Sequence, residues 1–262
     1  MASPDEIFLY LPQRYKTQDE ENYIKFLWES FELNYQNEKY QFAFIAYHLL
    51  FMTYVYFQLW KIYASHADNF RRSVFGFGKI RELFEDLEER NKRNEAAGNP
   101  PEQFYPFNFA EENESTIMTF FHLIGCDKSK IGTYKKLIKD RNEIAHANGK
   151  LVFVSSADID QKINQILKLV EEIHQHSCGT ATECLNNFLL NDSDIDTREY
   201  IDEDDQINEV LIRGHYLSQK NIEDLLEFDI EKFKDKPKFN DMKSLFDTFT
   251  KYGEVLLLDD NF

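Results

Sequence analysis

Residues 42–63 read FAFIAYHLLFMTYVYFQLWKIY, an almost unbroken apolar run. A stretch this apolar around its whole circumference has two outlets. It can cross a bilayer, which takes about 20 residues of helix, or it can form the centre of a bundle with other helices packed around it. His48, Thr53, Gln58 and Lys61 interrupt the run, and its many tyrosines are weakly apolar. The expectation is therefore a buried central helix and no membrane association. His48 reads as a core histidine that finds a partner inside the fold.

The rest of the chain must then supply the cover, and its patterning is helical. Thr17–Gln18–Asp19–Glu20 is a capping-box sequence opening a helix that carries Ile24, Phe26, Leu27, Trp28 and Phe31. Ile80, Leu83, Phe84 and Leu87 recur at helical spacing up to a stop at Gly98–Asn99–Pro100–Pro101. Residues 66–78 read as a connection, Phe104–Phe109 as a packed aromatic loop, and 115–125 as a short helix. Ile131, Tyr134, Leu137, Ile138 and Ile144 mark a helix from Ser129 to a stop at Asn148–Gly149. A short extended run, Leu151–Val154, and a second capping box, Ser155–Asp158, precede the stripe Ile159, Ile163, Ile166, Val170, Ile173. Further helical patterns follow at 206–217, 221–234 and 240–251. Nine Gly and six Pro in 262 residues, with 15% aromatics, suit such a helical protein and exclude collagen-like and wholly disordered classes.

Charge divides the chain. The net of −17 is uneven: residues 177–262 hold 9 Lys/Arg against 21 Asp/Glu, and residues 1–176 hold 21 against 26. Composition thus suggests an N-terminal helical arm at 1–37, a helical bundle at 38–176 and an acidic, mostly helical C-terminal region at 177–262. Three cysteines and a polar N-terminus with no targeting signal point to a reducing, cytoplasmic setting.

Within this acidic protein, residues 128–150 carry Lys128, Lys130, Lys135, Lys136, Lys139, Arg141 and Lys150 against Asp140 and Glu143, a local +5. A basic island of this kind suits a phosphate backbone. It contains Arg141–Asn142 followed by His146. Arg is a permanent cationic fork for phosphate oxygens, and His moves a proton near neutral pH. Together they can cleave an RNA phosphodiester whose own 2′-OH attacks, with no metal. Helix geometry sets a condition, because five residues turn through about 500° and leave Arg141 and His146 roughly 140° apart. They converge only if the helix ends near His146 or if two chains pair across a two-fold axis.

Arg141–Asn142–x3–His146 on the penultimate bundle helix resembles the signature of the HEPN domain family, an Arg-x4–6-His motif with a polar residue after the Arg. The resemblance covers about residues 38–176. It implies an all-α HEPN-like bundle and a metal-independent endoribonuclease that leaves a 2′,3′-cyclic phosphate and uses no cofactor. It also implies a homodimer with a composite cleft, acting in anti-phage defence, abortive infection or toxin systems, alone or with a regulatory protein partner. By position, Arg141 and His146 are the catalytic candidates and Asn142 the polar orienting residue, while Lys135, Lys136 and Lys139 are candidates for guiding RNA. The Tyr that some toxin members carry two residues after the His is replaced by Asn148. Family members without catalysis imply the alternative, an RNA-binding or interaction subunit of a larger complex.

Three weaker patterns remain. Asp192-x-Asp194-x-Asp196 with Glu203 copies calcium-loop spacing, but Thr197 occupies the position that needs Gly. His174, His176, Cys178 and Cys184 are potential zinc donors with no familiar spacing, and the Gly179–Thr182 stretch reads as a helix break. The eight carboxylates between Asn191 and Gln206 could lie across the basic cleft as an inhibitor; solvated acidic surface is the commoner use of such a run.

Overall fold

The computed structural model describes residues 3–73, 78–145 and 152–258, and its regular structure is helical, with no strand among the described residues. The all-α expectation holds. The chain forms two compact units, Phe26–Leu169 and the pairing of Met1–Lys25 with Val170–Phe262.

The Phe26–Leu169 unit is organised by its central helix. Helix α1 (Gln18–Gln36) enters this unit at Phe26, and α2 (Tyr40–Ser65) follows after a short turn. Every residue of α2 from Leu50 to Ile62 is buried. It is the one helix among the described residues long and apolar enough to cross a membrane, and 83% of its apolar window is enclosed by protein. Burying each large side chain of this kind contributes roughly 1.5–3 kcal/mol.

The cover comes from aromatic packing. The 66–78 connection contains a short helix, α3 (Ala67–Ser73), whose Phe70 stacks on Phe120 with ring centroids 4.8 Å apart. On α4 (Gly78–Ala97), Phe84 stacks on Phe104 at 4.5 Å. Phe104 leads into a 3₁₀ turn at Pro106–Glu111 that buries Phe109. Gly98 ends α4 in the left-handed conformation, φ +71°, and Asn99 N–H donates to Asn94 O at 2.8 Å. A side chain bearing a Cβ would be strained there, which is why Gly stops this helix.

Helix α5 (Glu114–Ile117) continues as a 3₁₀ turn, Met118–Ile124. Helix α6 (Lys128–Ala145) then packs its Ile131, Tyr134, Leu137 and Ile138 face into the core. The stop at Asn148–Gly149 and the start of the 151–154 run lie outside the described residues. Helix α7 (Ser156–Asp192) opens as expected, with Asp158 accepting from Ser155 N–H at 3.0 Å.

Helix α7 does not break at Gly179; it runs on for 37 residues. A solvated glycine inside a helix costs only about 1 kcal/mol. The continuing stripe Ala181, Cys184, Leu185, Phe188, Leu189 is buried and keeps the helix going. The division between the two compact units falls within α7, at Leu169/Val170, and the change in composition follows it at 176/177.

The other unit is built on the end of α7. Helix α8 (Glu203–Asp205) leads into a π-helical segment, Gln206–Arg213, followed by α9 (Gln219–Leu226) and α10 (Phe239–Leu258). Leu185, Phe188, Leu211, Ile222, Leu245 and Phe249 share its core. Residues 3–20 join this unit instead of forming a separate arm with the rest of 1–37. Gln13 N–H donates to Leu217 O at 2.9 Å, Arg213 donates to Tyr15 O and Lys16 O at 2.9 and 2.7 Å, and Tyr216 Oη donates to Glu20 Oε1 at 2.8 Å.

Candidate functional site

Helix α6 sets the stage for the Arg141 motif. Asp127 caps it, accepting from Lys130 N–H at 2.9 Å, and its apolar face fixes its rotation against α2. That rotation brings Arg141 and Asn142, in the last turns, to one open cleft of about 330 Å³. The cleft is lined also by Tyr56, Glu112, Asn113, Glu114 and Ile138. Both motif residues are half-buried. His146 lies outside the described residues.

The acidic residues nearest Arg141 in the sequence are Asp140 and Glu143. Asp140 is engaged elsewhere, 2.6 Å from Lys162. Arg141 instead donates to Glu114, which Asn113 places at the head of α5 by accepting from Ser115 N–H at 2.9 Å. Glu114 has a second partner, the wholly buried His48, whose Nε2 lies 3.2 Å away on α2. Arg141, Glu114 and His48 thus form one chain of contacts running from the cleft into the core. Burial pushes the Glu114 carboxyl up, but His48 and Arg141 outweigh it and hold the carboxyl down at about 2. Glu114 is an anion at any physiological pH. Arg141 Nε and His48 Nδ1 are shielded from water and meet no acceptor or donor among the described residues.

Of these three residues the sequence singles out Arg141 and His48 but not Glu114. His48 was legible as a core histidine, but its partner is 66 positions away in sequence. Glu114 was one of many acidic residues, and only the Asn113 cap distinguished its position.

The candidate RNA-guiding lysines divide by face. From Lys135 to Asn142 is seven positions, which on a helix differ by only about 20°. Lys135, Lys139 and Asn142 therefore form a stripe that leads along α6 to the cleft. Lys136 lies about 100° round from Lys135, off that stripe. Lys136 and Lys139 are exposed and Lys135 is half-buried.

Residues of the remaining patterns also make folding contacts. No group of three His, Cys, Asp or Glu among the described residues could hold a metal ion. His174 Nε2 lies 2.9 Å from Asp224, Cys178 is exposed and Cys184 is buried, so the four donors do not converge. In the acidic tract, Asp194 pairs with Lys238. Asp202 caps α8, and Glu203 accepts from Thr248 at 2.5 Å and pairs with Arg198 at 3.4 Å. These carboxylates serve their own unit.

Comparison of the chain with protein-family models, curated proteins and solved structures finds no match.

Proposed function

We propose that this protein is a metal-independent endoribonuclease of HEPN type. The observation that carries the reading is that Arg141 and Asn142, adjacent members of the Arg141–Asn142–x3–His146 motif, line the same open cleft near the end of α6. In this reading the RNA backbone follows the Lys135–Lys139 stripe and a phosphodiester reaches Arg141. The guanidinium neutralises charge developing on the phosphoryl oxygens as the 2′-OH attacks phosphorus. His146 moves the proton as general acid or base, Asn142 orients the phosphate or the imidazole, and the 5′-oxygen leaves, giving a 2′,3′-cyclic phosphate. The resemblance adds a cytoplasmic homodimer, or an assembly with a regulatory partner, acting in anti-phage defence.

A second reading is favoured by one specific feature: Arg141 is already paired with Glu114, and the cleft lining carries Glu112 and Glu114 against Arg141 alone. That balance tells against a phosphate seated at Arg141 and suits a non-catalytic subunit, which would engage RNA or a partner through another surface. Incubating wild-type protein and His146→Ala with RNA in EDTA separates the two. Cleavage by the wild type alone, leaving cyclic phosphate ends, supports the nuclease. RNA binding without product supports the second reading.

A further inference from the structure

The Arg141–Glu114–His48 chain has an order that the motif itself does not explain. Arg141 is anchored by the Glu114 carboxylate, and that carboxylate is in turn anchored by a histidine with no exposed surface. A surface ion pair between two solvated side chains contributes little and fixes neither of them. Here the partner side chains keep only 24% and 16% exposure, and the third member is in the core. Tyr56 and Ile138 line the same cleft. A guanidinium held in this way keeps one orientation, and orientation is what lets it meet a phosphate without first ordering a long side chain.

We propose that Glu114 is the positioning residue of Arg141, with His48 as the buried strut that fixes Glu114, so that the guanidinium is presented to the cleft as an oriented anion-binding group. The inference rests on reading Arg141 as a phosphate ligand. Glu114 does not touch the RNA in this arrangement; it acts through Arg141. The alternative, in which Glu114 occupies the phosphate position and competes with it, predicts the opposite sign on binding. Positioning requires that a phosphate take the other terminal nitrogen, Nη1, because Glu114 meets the guanidinium at Nη2 and its tie to His48 holds it there.

The test uses the full chain as wild type, Glu114→Gln and Glu114→Asp, with folding verified by circular dichroism. Two quantities are read. One is the rate of phenylglyoxal modification of Arg141, followed by peptide mass spectrometry. The other is the affinity for a short 2′-O-methyl RNA, which lacks the attacking hydroxyl and so cannot be cleaved. Positioning predicts that Glu114→Gln modifies Arg141 several-fold faster and binds the RNA about tenfold more weakly. Glu114→Asp, which restores a carboxylate, recovers part of both. Unchanged Arg141 reactivity in Glu114→Gln overturns the positioning role whatever the RNA does. Faster modification with equal or tighter RNA binding overturns it in favour of competition. If wild type and Arg141→Ala bind the RNA equally, the phosphate-ligand reading itself fails, and the inference falls with it for that separate reason.

Discussion

His48 Nε2 lies 3.2 Å from Glu114 Oε2, joining the buried central helix to a carboxylate that pairs with Arg141. The cleft is thereby tied to the core of its unit, and its electrostatics become part of the unit's stability.

Glu114 gives that link a pH signature. Its carboxyl is held at about 2 in the folded protein, against an ordinary value of 4.5. A group whose folded value is depressed adds stability above its unfolded value, and that stability is lost as pH falls through the folded value. Urea unfolding should therefore show stability declining from about pH 4.5 toward pH 2. Glu114→Gln should be less stable than wild type near neutrality and should narrow the gap as the solution is acidified. A gap that stays constant over this range would mean that Glu114 is not held ionised by His48 and Arg141.

Gly179 distinguishes a continuous α7 from a broken one. It is exposed within the helix, and a Cβ there would meet nothing within 4 Å. Gly179→Ala should raise stability by about 0.5–1 kcal/mol, the ordinary gain of Ala over Gly in a helix interior. If the chain instead turned at Gly179 in a left-handed conformation, the same substitution would destabilise.

Arg213 is the clasp of the N-terminal segment. It donates to the carbonyls of Tyr15 and Lys16 and pairs with Glu209 at 2.6 Å. Arg213→Ala should leave the Phe26–Leu169 unit folded and release the segment around Arg14 and Lys16. Brief trypsin digestion should then cut after these residues several-fold faster than in wild type, consistent with the loss of charge-assisted bonds worth about 1.5–3 kcal/mol. An unchanged cutting rate would mean that the clasp contributes nothing.

What could be read from the sequence was local. The Thr17–Glu20 capping box forms, with Glu20 N–H donating to Thr17 Oγ1 and Thr17 N–H donating to Glu20, both at 3.2 Å. The Gly98 stop and the burial of α2 follow equally from short-range chemistry and periodicity. The misreadings share a cause, which is reliance on local signals where contacts distant in sequence decide. Gly179 looked like a break, but Ala181 to Leu189 bury in a core whose other members lie beyond residue 206. Residues 3–20 looked like part of an arm because nothing in them announces Arg213 and Leu217 as partners. Within the site, Arg141 and Asn142 were legible from the motif. The Glu114 and His48 contacts were not, since no periodicity links positions 48, 114 and 141.

The central claim is that Arg141 and His146 cleave RNA, and the most direct measurement is RNA cleavage in EDTA by wild-type protein and His146→Ala, with the fragment ends identified. Wild type should give fragments bearing 2′,3′-cyclic phosphate, and His146→Ala should give none at matched folding. Equal cleavage by the two proteins, or cleavage that requires a divalent metal, would contradict that claim.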